Sequence, residues 1–289
     1  MNLRNRTCII TGATRGLGRQ IAETFWREGA SLFLTGRGAT SLDSLAESLQ
    51  TSRQSGQKLA VFPSDLSMPA TAAAVISEAV GEFETVTALV NNAAILGPIG
   101  PLWENDLERW EETIRVDLLA PAALCALVIP VMQRQGYGKI VNLSGGGATS
   151  PRPYFSAYST AKVGLVRLTE LLAHETRNMH IDINCIAPGI MPTAMLQEIK
   201  AAGPERAGNT EFLNVQRQVE GSAEVIERAA RLAQFLVSAD SDGISGRLIS
   251  AVWDPWEGLA HRRDLLSETD IYTLRRIVPR DRGFDWEAR

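Results

Sequence analysis

Tyr158-Ser159-Thr160-Ala161-Lys162 sets a phenol and an ammonium four positions apart. On a helix that interval puts both side chains on one face, one turn apart. A free tyrosine has a pKa near about 10 and is a poor base at neutral pH. A lysine cation beside it favours the phenolate and lowers that value. Such a phenol can give a proton to a carbonyl oxygen or take one from an alcohol. Ser144, in Asn142-Leu143-Ser144-Gly145, can place a second donor on the same oxygen, where charge develops. On an arbitrary helix a tyrosine and a lysine at this interval are an ordinary surface pair. Their meaning therefore depends on what positions them. Tyr154 competes locally, but the residue four places on is Tyr158 rather than a lysine. That suits Tyr154 to substrate contact, not to acid–base work.

The elements that would do the positioning alternate along the chain. Short apolar runs at 7–11, 31–35, 58–63, 86–90, 138–143, 181–187 and 246–251 read as strands. Helical periodicity at 16–28, 41–53, 70–82, 106–134, 156–177 and 222–238 separates them. Pro121 should kink the fourth helix. Strands alternating with helices imply crossover units, hence a Rossmann-type, doubly wound α/β fold. The expectation is a mostly parallel seven-stranded sheet with helices on both faces. In such sheets ligands bind beyond the carboxyl ends of the strands, so the loops after strands carry the information. The polar stretch 193–219, broken by Gly203, Pro204 and Gly208, reads as an insertion with short helices. The tail 253–289 does not continue the alternation.

The loop after the first strand is Thr11-Gly12-Ala13-Thr14-Arg15-Gly16-Leu17-Gly18. Gly12 suits a tight turn, Gly16 lets backbone approach a pyrophosphate, and Gly18 lets helix and strand pack closely. The following helix N-terminus offers oriented N–H donors to phosphate. Strand before and helix after is the context this pattern needs for dinucleotide binding. After the second strand, an acidic residue usually holds the ribose hydroxyls of NAD. Here the chain reads Thr35-Gly36-Arg37. A guanidinium can clasp a 2′-phosphate that a carboxylate would repel, and Arg15 can reach the same group. The expected cofactor is NADP, with NAD possible.

Composition narrows the rest. The 289 residues are 45 % hydrophobic and 21 % charged, with a net charge of −4 and no long basic run. Nucleic acid and membrane surfaces are therefore not expected partners. No window approaches the roughly 18 unbroken apolar residues of a membrane span. The basic N-terminus is followed by too few apolar residues for a secretory segment, which points to a cytoplasmic protein. Cys8, Cys125 and Cys185 are widely spaced with no CxxC, so they read as reduced core residues and no metal site is expected.

Taken together, these motifs resemble the non-extended branch of the short-chain dehydrogenase/reductase family. Five occur in the family's order over roughly 5–251. They are the glycine loop, Asn91-Asn92-Ala93-Ala94, Ser144, Tyr158 with Lys162, and Pro188-Gly189-Ile190-Met191-Pro192-Thr193. The resemblance implies that Asn92 and Ala93 line the cofactor and that Asp65 and Leu66 meet the adenine. Asp65 also suits a turn or the start of a helix. By the same likeness Pro188, Gly189, Ile190 and Thr193 border the nicotinamide or pyrophosphate, and Lys162 binds ribose hydroxyls. A homodimer or homotetramer is implied, pairing long helices around Trp110 and Val166.

Four features depart from the family pattern. Ala94 replaces a glycine. The interval from Ser144 to Tyr158 is one residue longer than usual. Asp117, in Val116-Asp117-Leu118, stands where the family has an asparagine that positions a water in a proton relay. Asp117 can hold that water, strengthen the Lys162 ammonium, draw it from Tyr158, or play no part. Finally, the chain continues past the family's usual end. Trp253, Trp256 and Trp286 can cap the substrate cleft, meet another subunit, or pack on their own domain.

The expected organisation is a catalytic domain at 1–252, a substrate lid at 194–219 and an extension at 253–289. The expected activity is hydride transfer between NADP and a carbonyl or secondary alcohol of a small molecule. Ser144, Tyr158, Lys162 and Asp117 form the catalytic group. The alternatives are a non-catalytic NADP-binding regulatory protein, or a dehydratase or epimerase on the same fold.

Overall fold

Strand β1 (Thr7–Thr11) is buried at every position, with Cys8 and Ile10 facing one core and Ile9 the other. The same alternation runs through β2 (Ser31–Gly36), where Leu32 and Leu34 oppose Phe33. In β4 (Ala88–Asn91), after β3 (Leu59–Pro63), Ala88 and Val90 oppose Leu89. A period of two with both faces apolar requires cover on both sides of the sheet. The computed structural model, which describes residues 1–217 and 222–286, supplies that cover. Its sheet has seven strands in the order β3-β2-β1-β4-β5-β6-β7, completed by β5 (Gly138–Leu143), β6 (Ile181–Ala187) and β7 (Leu248–Ser250). Every neighbouring pair is parallel. This is the Rossmann-type doubly wound fold.

Helices α1 (Gly16–Arg27) and α2 (Ala39–Gln50) contribute to one core, and α3 (Thr71–Glu82) to the other. Helix α4 (Leu107–Ile114) begins at Asp106, whose side chain accepts the Glu108 N–H at 2.9 Å. It runs through a π turn (Arg115–Leu119) into α5 (Ala120–Gln135). The irregularity expected at Pro121 therefore lies one step earlier. Ala120 donates its N–H to the Arg115 carbonyl, and this wide turn puts Pro121 in the first turn of α5, where a missing N–H is tolerated. By length and composition Leu107–Gln135 could cross a membrane, a match that the reading of unbroken apolar windows did not anticipate. In the fold, Leu124, Cys125, Val128 and Met132 of this run are buried in the second core.

Helix α6 (Ser156–Glu175) follows β5 and carries Tyr158 and Lys162 on its buried side. Val166 of the same helix is only 1 % exposed, packed with Ala148 and Cys185 and against Leu248 and Leu274. Within the chain, Leu274 of the tail thus helps to cover Val166. The insertion forms α7 (Ala194–Ala207), broken at Gly203 before Pro204, and α8 (Asn209–Arg217). Residues 218 and 219 of the expected lid lie outside the described residues.

Helix α9 (Ser222–Val237) precedes β7, and the tail then adds α10 (Arg263–Glu268). Trp256, Leu259 and Leu266 of this tail belong to the first core. Trp256 stacks obliquely on Phe235 with ring centroids 6.0 Å apart, and its Nε1 donates to the Ala251 carbonyl at 3.3 Å. The Arg247 guanidinium binds the carbonyls of Thr269 (2.9 Å) and Ile271 (2.7 Å), and Leu248 donates its N–H to Tyr272 at 2.8 Å. The tail thus covers the outer edge of β7. Trp253 and Trp286 stay 85 % and 75 % exposed. Trp256→Ala should cost about 3–5 kcal/mol, measured by urea denaturation. A loss below about 1 kcal/mol would show that the tail does not share the core's cooperativity.

Candidate active site

Residues at the carboxyl ends of β1 to β6 meet in a cleft of about 610 Å³. Its floor is the glycine loop. Gly12 has φ +64°, and a Cβ on Gly18 would lie 2.2 Å from the Gly12 carbonyl oxygen. Only glycine permits that approach. Thr11 and Asn92 hold the turn from below. Thr11 Oγ1 accepts the N–H groups of Asn92 and Ala93, both at 3.0 Å. Asn92 Nδ2 donates to the carbonyls of Thr11 (2.9 Å) and Gly12 (3.1 Å). The asparagine motif thus ties the end of β4 to the first turn.

At one end of the cleft Thr14, Arg15 and Arg37 line the wall, with Gly16 and Leu17 beside them. Both arginines are exposed, and neither makes a salt bridge among the described residues. Asp65 and Leu66 lie opposite. Asp65 Oδ1 accepts the Ser67 N–H at 2.9 Å, so Asp65 does act as a turn residue. That bond, with the Arg37 charge nearby, holds its carboxyl below the usual range. Ser41 and Ser64 also line this end and were not anticipated. Ser64 follows β3, so the rule about loops after strands could have found it. Glu112, on α4, lines the wall without any sequence signal of its own.

At the other end stand Ser144, Tyr158 and Lys162, with Pro188 and Thr193 across from them. Two of the expected cofactor residues do not line the cleft. Gly189, at φ +90°, packs toward Val252 and Val225, and Ile190 is 45 % exposed. Met191 and Pro192, the next two residues, do line the cleft.

Lys162 is only 2 % exposed where it borders the cleft beside Tyr158. Its Nζ donates to the Leu143 carbonyl at 3.0 Å and lies 3.2 Å from Asp117 Oδ2. The same Nζ is 5.4 Å from the Tyr158 ring centroid. Asp117 sits on the π turn, 0 % exposed, and its Oδ1 accepts the Ile95 N–H at 2.9 Å. It does not reach the cleft but is paired with Lys162. Burial raises the Asp117 pKa against the pull of Lys162. For Lys162, burial opposes the charge, but Asp117 and then Tyr158 lift its pKa above the ordinary lysine value. Burial also raises Tyr158. Lys162 and Arg152 oppose that rise while Asp117 adds to it. In the ligand-free chain the lowering expected from Lys162 is therefore outweighed.

Ser144 donates its N–H to the Ile186 carbonyl at 2.8 Å, and its buried Oγ has no partner among the described residues. A buried hydroxyl without a partner is ready for a ligand oxygen. Gly145 lies directly under the phenol, since a Cβ there would fall 2.1 Å from Tyr158 Oη. Gly145→Ala should therefore keep the fold and nucleotide binding but misplace the phenol, lowering kcat by about 100-fold. Steady-state kinetics with circular dichroism would check this. Near-normal kcat would show that the phenol's position is not critical.

Residues 6–203 match the family model described as short chain dehydrogenase. Dehydrogenase/reductase SDR family member 4 of Homo sapiens is 28 % identical over 249 residues, covering 86 % of each chain. The 3beta-hydroxysteroid dehydrogenase 1 of Eggerthella lenta is 32 % identical, over 80 % of this chain and 88 % of that one. A solved structure from Beutenbergia cavernae, holding NADP at low occupancy, is 27 % identical with TM-score 0.75. It covers 86 % of this chain and 96 % of its own. With this fold and these matches, the chain belongs to the short chain dehydrogenase family, oxidoreductases that act on CH–OH and C=O groups.

Proposed function

We propose that the chain is an NADP(H)-dependent carbonyl reductase and alcohol dehydrogenase in which Tyr158 is the acid–base group. One observation carries the reading. A single cleft has two unpaired arginines at one end and Ser144, Tyr158 and Lys162 at the other. A nicotinamide dinucleotide suits the cradle between them. The Gly12–Gly18 approach leaves no side chain in the way of a pyrophosphate, and the buried Ser144 Oγ lacks a partner. Thr14, Gly16 and Leu17 would hold the phosphates, Asn92 and Ala93 the ribose region, and Pro188 and Thr193 the nicotinamide side. When bound, the cofactor supplies or accepts a hydride at the substrate carbon.

The chain's own residues manage the proton. In reduction Ser144 Oγ and Tyr158 Oη donate to the carbonyl oxygen, and Tyr158 gives up its proton as the alcohol forms. Lys162 stabilises the phenolate left behind, and Asp117 keeps Lys162 charged and in place. Because the Tyr158 pKa is raised, the proton-donating form persists into alkaline solution and is lost only above that raised value. Oxidation, which needs the phenolate, gains with rising pH. The unit 1–252 carries this chemistry, with 194–219 as the substrate cover and 253–289 as an extension.

Arg15 and Arg37 support the choice of NADP over NAD, since both face the cleft uncompensated by close ion pairs. Fluorescence titration should show NADPH bound more tightly than NADH. Arg37→Ala should weaken NADPH by about tenfold or more and NADH by far less. Equal affinities, both unmoved by the substitution, would remove the basis for the NADP assignment.

A further inference from the structure

We propose that Glu211 masks Arg152 and so makes the substrate end of the cleft select uncharged, apolar carbonyl compounds over carboxylates. This rests on the hydride-transfer reading above and names its substrate class. Arg152 lies in the loop between β5 and α6, six positions before Tyr158. Its guanidinium sits 4.1 Å over the Phe155 ring and 5.8 Å from the Tyr158 ring centroid. Left free there, it would be a natural receptor for a carboxylate.

It is not free. Arg152 Nε donates to Glu211 Oε1 at 3.1 Å, and Nη2 binds the same oxygen. Glu211 comes from the first turn of α8 in the insertion, and both side chains are mostly buried, at 18 % and 21 % exposure. The second cation acting on Tyr158 is Lys162, and it is paired with Asp117. Glu112 adds a further carboxylate to the cleft wall. A carboxylate entering beside Tyr158 would thus find each neighbouring cation already matched. Capturing Arg152 would leave Glu211 half-buried without its partner, an expensive exchange.

The surroundings favour the opposite kind of molecule. Tyr158 shares a buried apolar cluster with Leu96, Phe155, Leu196, Ile199 and Val215. The insertion supplies Leu196, Ile199 and Val215, so the helix that carries Glu211 also packs into this cluster through Val215. The cleft itself is lined by Ile95, Val116, Met191 and Met195, against which an uncharged carbonyl compound gains by burying its hydrocarbon.

The test uses two ketones with one skeleton, 4-oxocyclohexanecarboxylate and its methyl ester, in the presence of NADPH. The wild-type protein should prefer the ester by about tenfold or more in kcat/KM, chiefly through KM. Glu211→Gln should raise the carboxylate-to-ester ratio by about tenfold, and Arg152→Gln, which leaves Glu211 unmatched, should lower it. Affinities for both compounds, measured calorimetrically on the NADPH complexes, should shift in the same sense. A wild-type preference for the carboxylate overturns the proposal. So does an unmoved ratio in both variants when each melts cooperatively and binds NADPH. Absence of turnover with affinities that shift as expected would instead contradict the hydride-transfer reading and leave the masking role standing.

Discussion

The arrangement depends on one buried cation. Lys162 places an ammonium where burial disfavours charge, and three structures must cooperate to keep it there. The end of β5 supplies the Leu143 carbonyl, the π turn supplies the Asp117 carboxylate, and α6 supplies the lysine itself. Removing one partner of a buried ion pair typically costs about 3–5 kcal/mol. The π turn is thus a device for aiming Asp117 inward. Asp117 is fixed in turn by the Ile95 N–H, so the loop after β4 is tied to the same charge.

A rigid sheet makes that cooperation possible. Its strands bury both faces, and their carboxyl ends present the glycine loop, the asparagine turn and Ser144 side by side. Asn91 Nδ2 bonds to Asn142 Oδ1 at 2.8 Å, and Asn142 Nδ2 reaches Thr169 Oγ1 at 2.8 Å. These contacts lock β4 to β5 and β5 to α6 directly beneath the site. The phenol lies over Gly145, so its position is defined by backbone rather than by a movable side chain.

Much of this was legible in the sequence because it is local. The alternation of Cys8, Ile9 and Ile10 reports a strand buried on both faces, and glycine spacing reports a turn. The interval from Tyr158 to Lys162 reports a shared helix face. What was not legible depends on distant contacts. Asp117 left four readings open in sequence, and only the packing of the π turn against α6 and the loop after β4 brings it to Lys162. Pro121 looked like the kink, but the wide turn before it absorbs the irregularity. Ile190 was expected at the cofactor, yet it is 45 % exposed and does not line the cleft. The fate of Trp256 was equally hidden, because an isolated tryptophan in a charged tail gives no periodic signal. The pairing of Arg152 with Glu211 joins residues far apart in the chain and has no local signature.

Burial and Asp117 together hold the Tyr158 phenol protonated in the nucleotide-free protein despite the lysine beside it. The most direct measurement is ultraviolet difference titration of phenolate formation, taking wild type minus Tyr158→Phe to isolate one of the four tyrosines. The Tyr158 signal should appear only above the ordinary tyrosine value of about 10. Asp117→Asn should lower its onset. A Tyr158 phenolate that forms below the ordinary value without nucleotide, or an onset indifferent to Asp117, would contradict that joint control.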